Sequence, residues 1–151
     1  MTNKAIKLYL KQGTTLRVLF LDGITKEYNV LSLSNKYPQL NALKDRKLFL
    51  KGKLFGWGGV IWNEDLDLDS DTIYEDGKTV ESEDKAPEIV LGYIIKQARL
   101  SKQLTQEELS KITKINQSDI SRIENGSLCP TFSTIKKIAK GLGEVIQVRI
   151  F

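Results

Sequence analysis

The stretch from Leu104 to Gly126, LTQEELSKITKINQSDISRIENG, constrains the fold more than any other part of the chain. Thr105 and Glu108 have the spacing of a capping box. The threonine hydroxyl accepts from the third amide of the helix, and the glutamate reaches back to the threonine's own amide. Leu109 and Ile112 are expected to carry the inward face of that helix. A turn of about four residues follows. Asn116 is a good N-cap for the next helix, and Ile120 and Ile123 form its buried stripe. Asn125-Gly126 ends it, because glycine takes the left-handed conformation after a helix.

The flanking sequence is helical too. From Glu88 the period is that of a helix, with Leu91, Ile94, Ile95 and Ala98 on one face. Pro130-Thr131 opens a fourth helix, with Phe132, Ile135, Ile138, Ala139 and Leu142 on one side. Gly143 stops it, and Val145 to Phe151 reads as a β-prone strand. Cys129, before Pro130, reads as a small buried residue with no base or metal partner to make it reactive.

The two short capped helices between Leu104 and Gly126 have helix-turn-helix spacing. The second is too polar outside Ile120 and Ile123 to be ordinary core. Its outward residues are Gln117, Ser118, Ser121 and Arg122. Glutamine pairs bidentately with adenine and arginine with guanine in the major groove. These four are the candidate base contacts.

Charge agrees with this reading. Residues 1–84 carry 12 Lys/Arg and 13 Asp/Glu, a net −1, whereas residues 85–151 carry 11 and 6, a net +5. The basic part is the C-terminal one, as expected of a segment that meets a polyanion. With 151 residues the chain suffices for two small domains. The expected division is an α+β domain over 1–84, with an acidic linker at its end, and an all-α domain over 85–151.

The N-terminal half reads as strands. Leu16, Val18 and Phe20 alternate with Arg17, Leu19 and Leu21. After Asp22-Gly23 the alternation resumes through Ile24, Lys26, Tyr28 and Val30. An Asp-Gly between alternating runs predicts a hairpin whose two central residues both have positive φ. Residues 32–43 read as irregular or briefly helical, broken at Pro38. Residues 47–62 predict two or three short strands kinked at glycines. Leu66 and Leu68, between aspartates, read as a strand burying one face, and Gly77 to Lys85 reads as linker. The sheet is expected to be mostly antiparallel.

Two other patterns deserve a chemical reading. Asp65-x-Asp67-x-Asp69-Ser70-Asp71 echoes a calcium loop. However, Ser70 stands where glycine makes the turn, and Asp76 where a bidentate glutamate closes the site, so no metal is expected. Lys47, Phe49, Lys51, Lys53, Phe55, Trp57 and Trp62 have the composition of a stacking platform for single strands. They read more simply as core aromatics with lysines on the wet face.

Some classes of function are excluded. The chain has no histidine and one cysteine. That removes Ser-His-Asp and Cys-His catalysis, zinc sites of the Cys/His type and disulfide frameworks. No catalytic residues, no enzymatic activity and no cofactors are expected. No apolar run reaches the ~20 residues of a membrane span, and the charged N-terminus is unlike a signal peptide. The expected location is the cytoplasm, with no membrane partner.

Residues 89–143 resemble the Cro/C1-type (XRE) helix-turn-helix domain of phage repressors. The resemblance is carried by Arg99, Leu104 to Leu109, Gln117, Ile120 to Gly126, Pro130 and Leu142-Gly143. It implies a lambda-repressor-like domain that binds duplex DNA and regulates transcription, most simply as a repressor of its own operon. It also implies that Gln106 bonds phosphate through side chain and amide. Gln117, Ser118 and Arg122 would face base edges, and Asn125 would lie beside the backbone. Arg99 and Glu124 would form a structural ion pair. Lys114 departs from the family pattern, in a turn that often carries glycine; it either strains the turn or adds a phosphate contact. Gly141 also departs, where the family has better helix formers. The candidate phosphate contacts are Thr105, Gln106, Lys114, Asn116 and Asn125.

Residues 4–80 resemble a small bacterial α+β family of unassigned chemistry, sometimes fused to such helix-turn-helix domains and associated with antitoxins. The resemblance rests on FLDGITKEYNV, the run from Tyr37 to Asp69 and the closing YEDG. It implies a second possibility, a protein toxin as the partner of the N-terminal half. A homodimer is expected, joined through the N-terminal domain or through the strand Val145–Phe151.

Overall fold

The computed structural model describes residues 3–56 and 58–150. The chain divides into two compact units, Met1–Glu83 and Asp84–Phe151.

In the first unit, β1 (Ala5–Leu10), β2 (Thr15–Phe20), β3 (Thr25–Asn29) and β7 (Lys78–Val80) form an antiparallel sheet in the order β1-β2-β3-β7. A second antiparallel sheet contains β4 (Lys53–Phe55), β5 (Gly59–Asn63) and β6 (Leu66–Leu68). Two short helices, α1 (Arg46–Phe49) and α2 (Ser70–Asp76), complete the unit with 3-10 turns at Val30–Leu33 and Pro38–Lys44. Alternation along β2 sends Leu16, Val18 and Phe20 into a core with Tyr28, Phe49, Val60 and Ile73. The architecture is α+β.

The hairpin between β2 and β3 differs in its turn. Gly23 N donates to Phe20 O and Phe20 N to Ile24 O, each at 2.9 Å. Only Gly23 has positive φ, +87°, while Asp22 does not. The loop is therefore a three-residue one with glycine at the bulge. Asp22 instead accepts from Ile24 N through Oδ1 and from the Tyr74 hydroxyl through Oδ2, at 2.9 and 2.6 Å.

Two other expectations are corrected here, and a helix stands where the sequence pattern marks no element. Lys47–Phe49 is helical, because Asp45 caps Lys47 N and starts α1. Ser70–Asp76 is a helix capped by Asp69, which accepts from both Thr72 N and Thr72 Oγ1 at 2.8 Å. Part of the expected linker is the edge strand β7, paired with β3. Asp71 accepts from Asn3 N and Nδ2, so that carboxylate too serves the fold. Among the described residues, no group of His, Cys, Asp and Glu is placed to hold a metal. Phe49 and Trp62 are core, whereas Phe55 is exposed; Trp57 lies outside the described residues.

The second unit has four helices: α3 (Ala86–Ser101), α4 (Gln106–Thr113), α5 (Gln117–Glu124) and α6 (Phe132–Leu142). Their core is Ile95, Leu109, Ile120, Ile123, Ile138 and Leu142. Gly92 sets the approach of α3 to α5. A Cβ there would stand 2.3 Å from Ile123 O and 2.8 Å from Glu124 O. Gly141 has a similar cause, since a Cβ would meet Thr113 Cγ2 at 2.7 Å.

Burial in this unit is narrower than the apolar period predicts. Ile94, Ile112 and Phe132 are exposed. Each is only partly covered: Ile112 Cγ2 would stand 3.2 Å from a Cβ at Gly141 on α6, yet about half of its surface stays exposed. Lys136 Nζ covers the Phe132 ring, 5.7 Å from its centroid. Cys129 is exposed rather than buried, because it sits on the loop between α5 and α6. Residues 144–150 belong to no helix or strand, and Phe151 lies outside the described residues. No helix among the described residues is long and apolar enough to cross a membrane.

Candidate nucleic-acid interface

The site starts from a buried ion pair. Arg99 on α3 and Glu124 at the end of α5 have side chains only 8% and 2% exposed. Two bonds join them, Nε to Oε1 at 2.6 Å and Nη2 to Oε2 at 2.9 Å. The remaining guanidinium nitrogen, Nη1, donates to Leu104 O at 2.7 Å. Bidentate geometry and a backbone acceptor satisfy a charge that would otherwise be costly to bury. The hydrogen bond to Glu124 raises the Arg99 pKa above its ordinary value, against the opposing effect of burial.

From this pair a chain of bonds runs outward. Gln106 Nε2 donates to Glu124 Oε2 at 2.9 Å, and Gln117 Nε2 donates to Gln106 Oε1 at 2.8 Å. The first residues of α4 and α5 are thus joined by their side chains and anchored to the core. Gln117 keeps one N–H and its carbonyl oxygen free, the pair that a bidentate contact with adenine needs. Gln106 keeps one side-chain N–H and its helix-terminal amide, both suited to an anion.

The capping box of α4 is present. Glu108 N donates to Thr105 Oγ1 at 3.1 Å, and Thr105 N to Glu108 Oε2 at 2.7 Å. Bonds from the Thr105 amide and hydroxyl hold the Glu108 carboxyl below its ordinary pKa. At α5 the N-cap position is Asn116, but its side chain makes no capping bond. The expected capping contact is therefore absent, and the side chain is exposed.

Lys114 takes the left-handed conformation, φ 59°, at the end of α4. Around it Thr113 Oγ1 donates to Leu109 O, and Ser110 Oγ to Ile115 O. Those bonds hold a turn that the lysine itself disfavours. Gln117, Ser118 and Arg122 are exposed along α5, and Ser121 is half-buried beside them. Arg122 reaches Asp119 at only 3.7 Å, with both side chains solvated. Exposed pairs of this kind are weak, so the guanidinium is available to another acceptor. Asn125 Oδ1 accepts from Ser127 N, shaping the loop that leaves the helix.

Residues 95–145 form a helix-turn-helix domain. Domains of this Cro/C1 type serve DNA-binding transcription regulation, and that is the class of this unit. No curated protein matches the chain. Among solved structures, the restriction-modification controller protein C.AhdI from Aeromonas hydrophila is 25% identical, over 40% of this chain and 91% of that one, with a TM-score of 0.39. The controller protein C.Esp1396I, solved as a tetramer with its natural 35 base-pair operator, is 30% identical over 42% and 82%, also with a TM-score of 0.39. Protein NE0471 of Nitrosomonas europaea ATCC 19718 is 16% identical over 89% and 83%, with a TM-score of 0.44.

The helix-turn-helix domain brings Thr105, Gln106, Lys114, Asn116, Gln117 and Arg122 onto its two central helices and the turn joining them. Two working residues were not read from the sequence. Gly92 was legible as an unexplained glycine inside a helical pattern, which signals close backbone approach. The Leu104 carbonyl, which holds Arg99, had no side-chain signal at all.

Proposed function

We propose that the helix-turn-helix domain binds duplex DNA sequence-specifically, with α5 in the major groove. Gln117, Ser118, Ser121 and Arg122 read base edges. Thr105, Gln106, Lys114, Asn116 and Asn125 lie against the phosphates. Arg99 and Glu124 touch no DNA; they fix the angle between α3 and α5. The division of labour falls at residues 84/85, with DNA reading confined to the C-terminal part. The observation that carries this reading is the chain Arg99–Glu124–Gln106–Gln117. It aims a glutamine with its adenine-pairing atoms free from a buried support. A reading side chain held in advance loses less entropy on binding.

One such domain covers little DNA, so the chain acts as a homodimer on a pseudo-palindrome. The half-sites lie about 34 Å apart, one turn of the duplex. Occupying upstream DNA in this way represses transcription, including that of its own gene.

The test is fluorescence anisotropy with the gene's own upstream duplex and a scrambled one across a salt series. Tight, upstream-selective binding that weakens with salt is expected. Arg122→Ala should cost ~1–3 kcal/mol and relax preference at one base pair. Gln106→Ala should weaken all sequences and, by releasing Gln117, also relax preference at the base pair that Gln117 reads. Equal, weak binding to both duplexes would overturn the reading.

A further inference from the structure

The first unit contains a groove of about 360 Å³ between its 3-10 turns and the stretch from Asp65 to Asp76. That is the size of a small-molecule site. The floor is apolar, made by Leu40, Leu66 and Leu68, which belong to the core of the unit. The rim is acidic. Asp65, Asp67, Asp69 and Asp76 stand on it with one lysine, Lys36, whose Nζ lies over the Tyr37 ring, 5.2 Å from the centroid. Asp67 and Asp69 are alternate residues of an extended stretch, about 7 Å apart. Asp69 and Asp76 lie at opposite ends of α2, about 10 Å apart along its axis. Carboxylates so spread do not close on one ion, and among the described residues no such group is placed to hold a metal. They suit a ligand whose positive charges are spaced along a chain.

The core behind this rim holds an unused polar atom. Tyr28 on β3 is only 4% exposed, and its hydroxyl has no hydrogen-bond partner among the described residues. Buried hydroxyls are nearly always bonded, so an orphan calls for a cause. Burial raises the Tyr28 pKa, and the carboxylates of Asp76 and Asp69 raise it further. Both charges that act on this hydroxyl are rim residues, which sets Oη against the inner wall of the groove. The phenol stays neutral, and its oxygen can accept from a donor brought in beside the two aspartates. Burial opposes the charge on Asp69, but the bonds from Thr72 N and Oγ1 outweigh it and hold that carboxyl below its ordinary pKa. Asp69 is therefore an anion at neutral pH.

We propose that this groove binds an alkyl polyamine, a small ligand with ammonium groups joined by methylene chains. The methylenes lie along the leucine floor. One ammonium sits with Asp69, Asp76 and the Tyr28 hydroxyl, and another with Asp65 and Asp67. An ammonium is a compact charge with three donors. It brings the positive charge that offsets the rim and the donor that Tyr28 lacks. The site is separate from the DNA-reading residues, which all belong to the other unit.

The test is isothermal titration calorimetry of the full chain with spermidine, n-butylamine and a lysine-rich peptide. The expected result is one spermidine per chain, bound more tightly than the monoamine or the peptide. Asp67→Asn and Asp76→Asn should each weaken it about fivefold. Glu81→Gln removes the same charge outside the groove and should leave the affinity unchanged. Tyr28→Phe should weaken spermidine about threefold without lowering the Tm, because the free protein loses no bond. Absence of spermidine binding overturns the proposal. So does a Glu81→Gln loss as large as that of Asp67→Asn, which would reduce the attraction to net charge. A peptide that binds more tightly than spermidine would make the occupant a protein segment and sink the polyamine. A Tyr28→Phe chain that melts lower yet binds like wild type would take the hydroxyl out of the site.

Discussion

The Arg99–Glu124 pair is the residue on which most else depends. It is nearly dry and fully bonded, so its two halves are not separately dispensable. Glu124→Gln leaves the guanidinium with a neutral partner in a low-dielectric site and loosens the hold on Gln106. Removing one member of a buried pair typically costs ~3–5 kcal/mol. Urea unfolding of the C-terminal unit should show a loss of that order, whereas Arg99→Met with Glu124→Leu should recover much of it. A loss below about 1 kcal/mol for Glu124→Gln would mean that water reaches the pair. Lys114 makes the opposite case. A lysine with φ of 59° stands where glycine costs less. Lys114→Gly should therefore raise stability by about 1 kcal/mol in the same experiment. If Lys114 also touches phosphate, the variant should bind all duplexes more weakly, so stability and affinity would move in opposite directions.

At the scale of single helices, α4 carries a pH dependence with a definite sign. The folded Glu108 carboxyl has a lowered pKa because it accepts from Thr105. A group depressed in the folded state contributes stability above its unfolded value, ~4.3 for glutamate. That contribution is lost as pH falls through the lowered folded value. Glu108→Gln keeps a side-chain acceptor without the titration. Its stability should fall less than that of wild type between pH 5 and 3, and parallel acid limbs for the two would refute the assignment. This element was legible because capping is local: Thr105, Glu108, Thr131 and Gly143 announce helix ends from a few neighbours. What was not legible depended on distant partners. The period of α3, α4 and α6 marks Ile94, Ile112 and Phe132 as apolar, but only the packing shows that about half of each stays exposed. Helix α2 was hidden in an acidic run, since its cap Asp69 looks like any other aspartate there. The strand β7 exists only because β3 offers an edge. In the site, the residue types on α5 could be read directly. The bonds from Glu124 to Gln106 and on to Gln117 span separate helices and needed the fold.

At the scale of the whole chain, two separate cores account for the division of charge. One core draws its buried residues from Ala5 to Ile73, the other from Ile95 to Leu142, and no residue is common to both. A unit with its own core can in principle fold alone. The basic excess belongs to the second, and so do all the proposed DNA contacts. Residues 85–151 expressed alone should therefore show a helical circular dichroism spectrum with cooperative melting. They should also keep the sequence preference of the full chain, since base readout depends only on α5 and its supports. The slope of log affinity against log salt reports how many phosphates are neutralised, and it should match in the two proteins. A fragment that folds but loses its preference for upstream DNA would assign part of the reading to the first unit. A fragment with the same preference but a shallower slope would place phosphate contacts there.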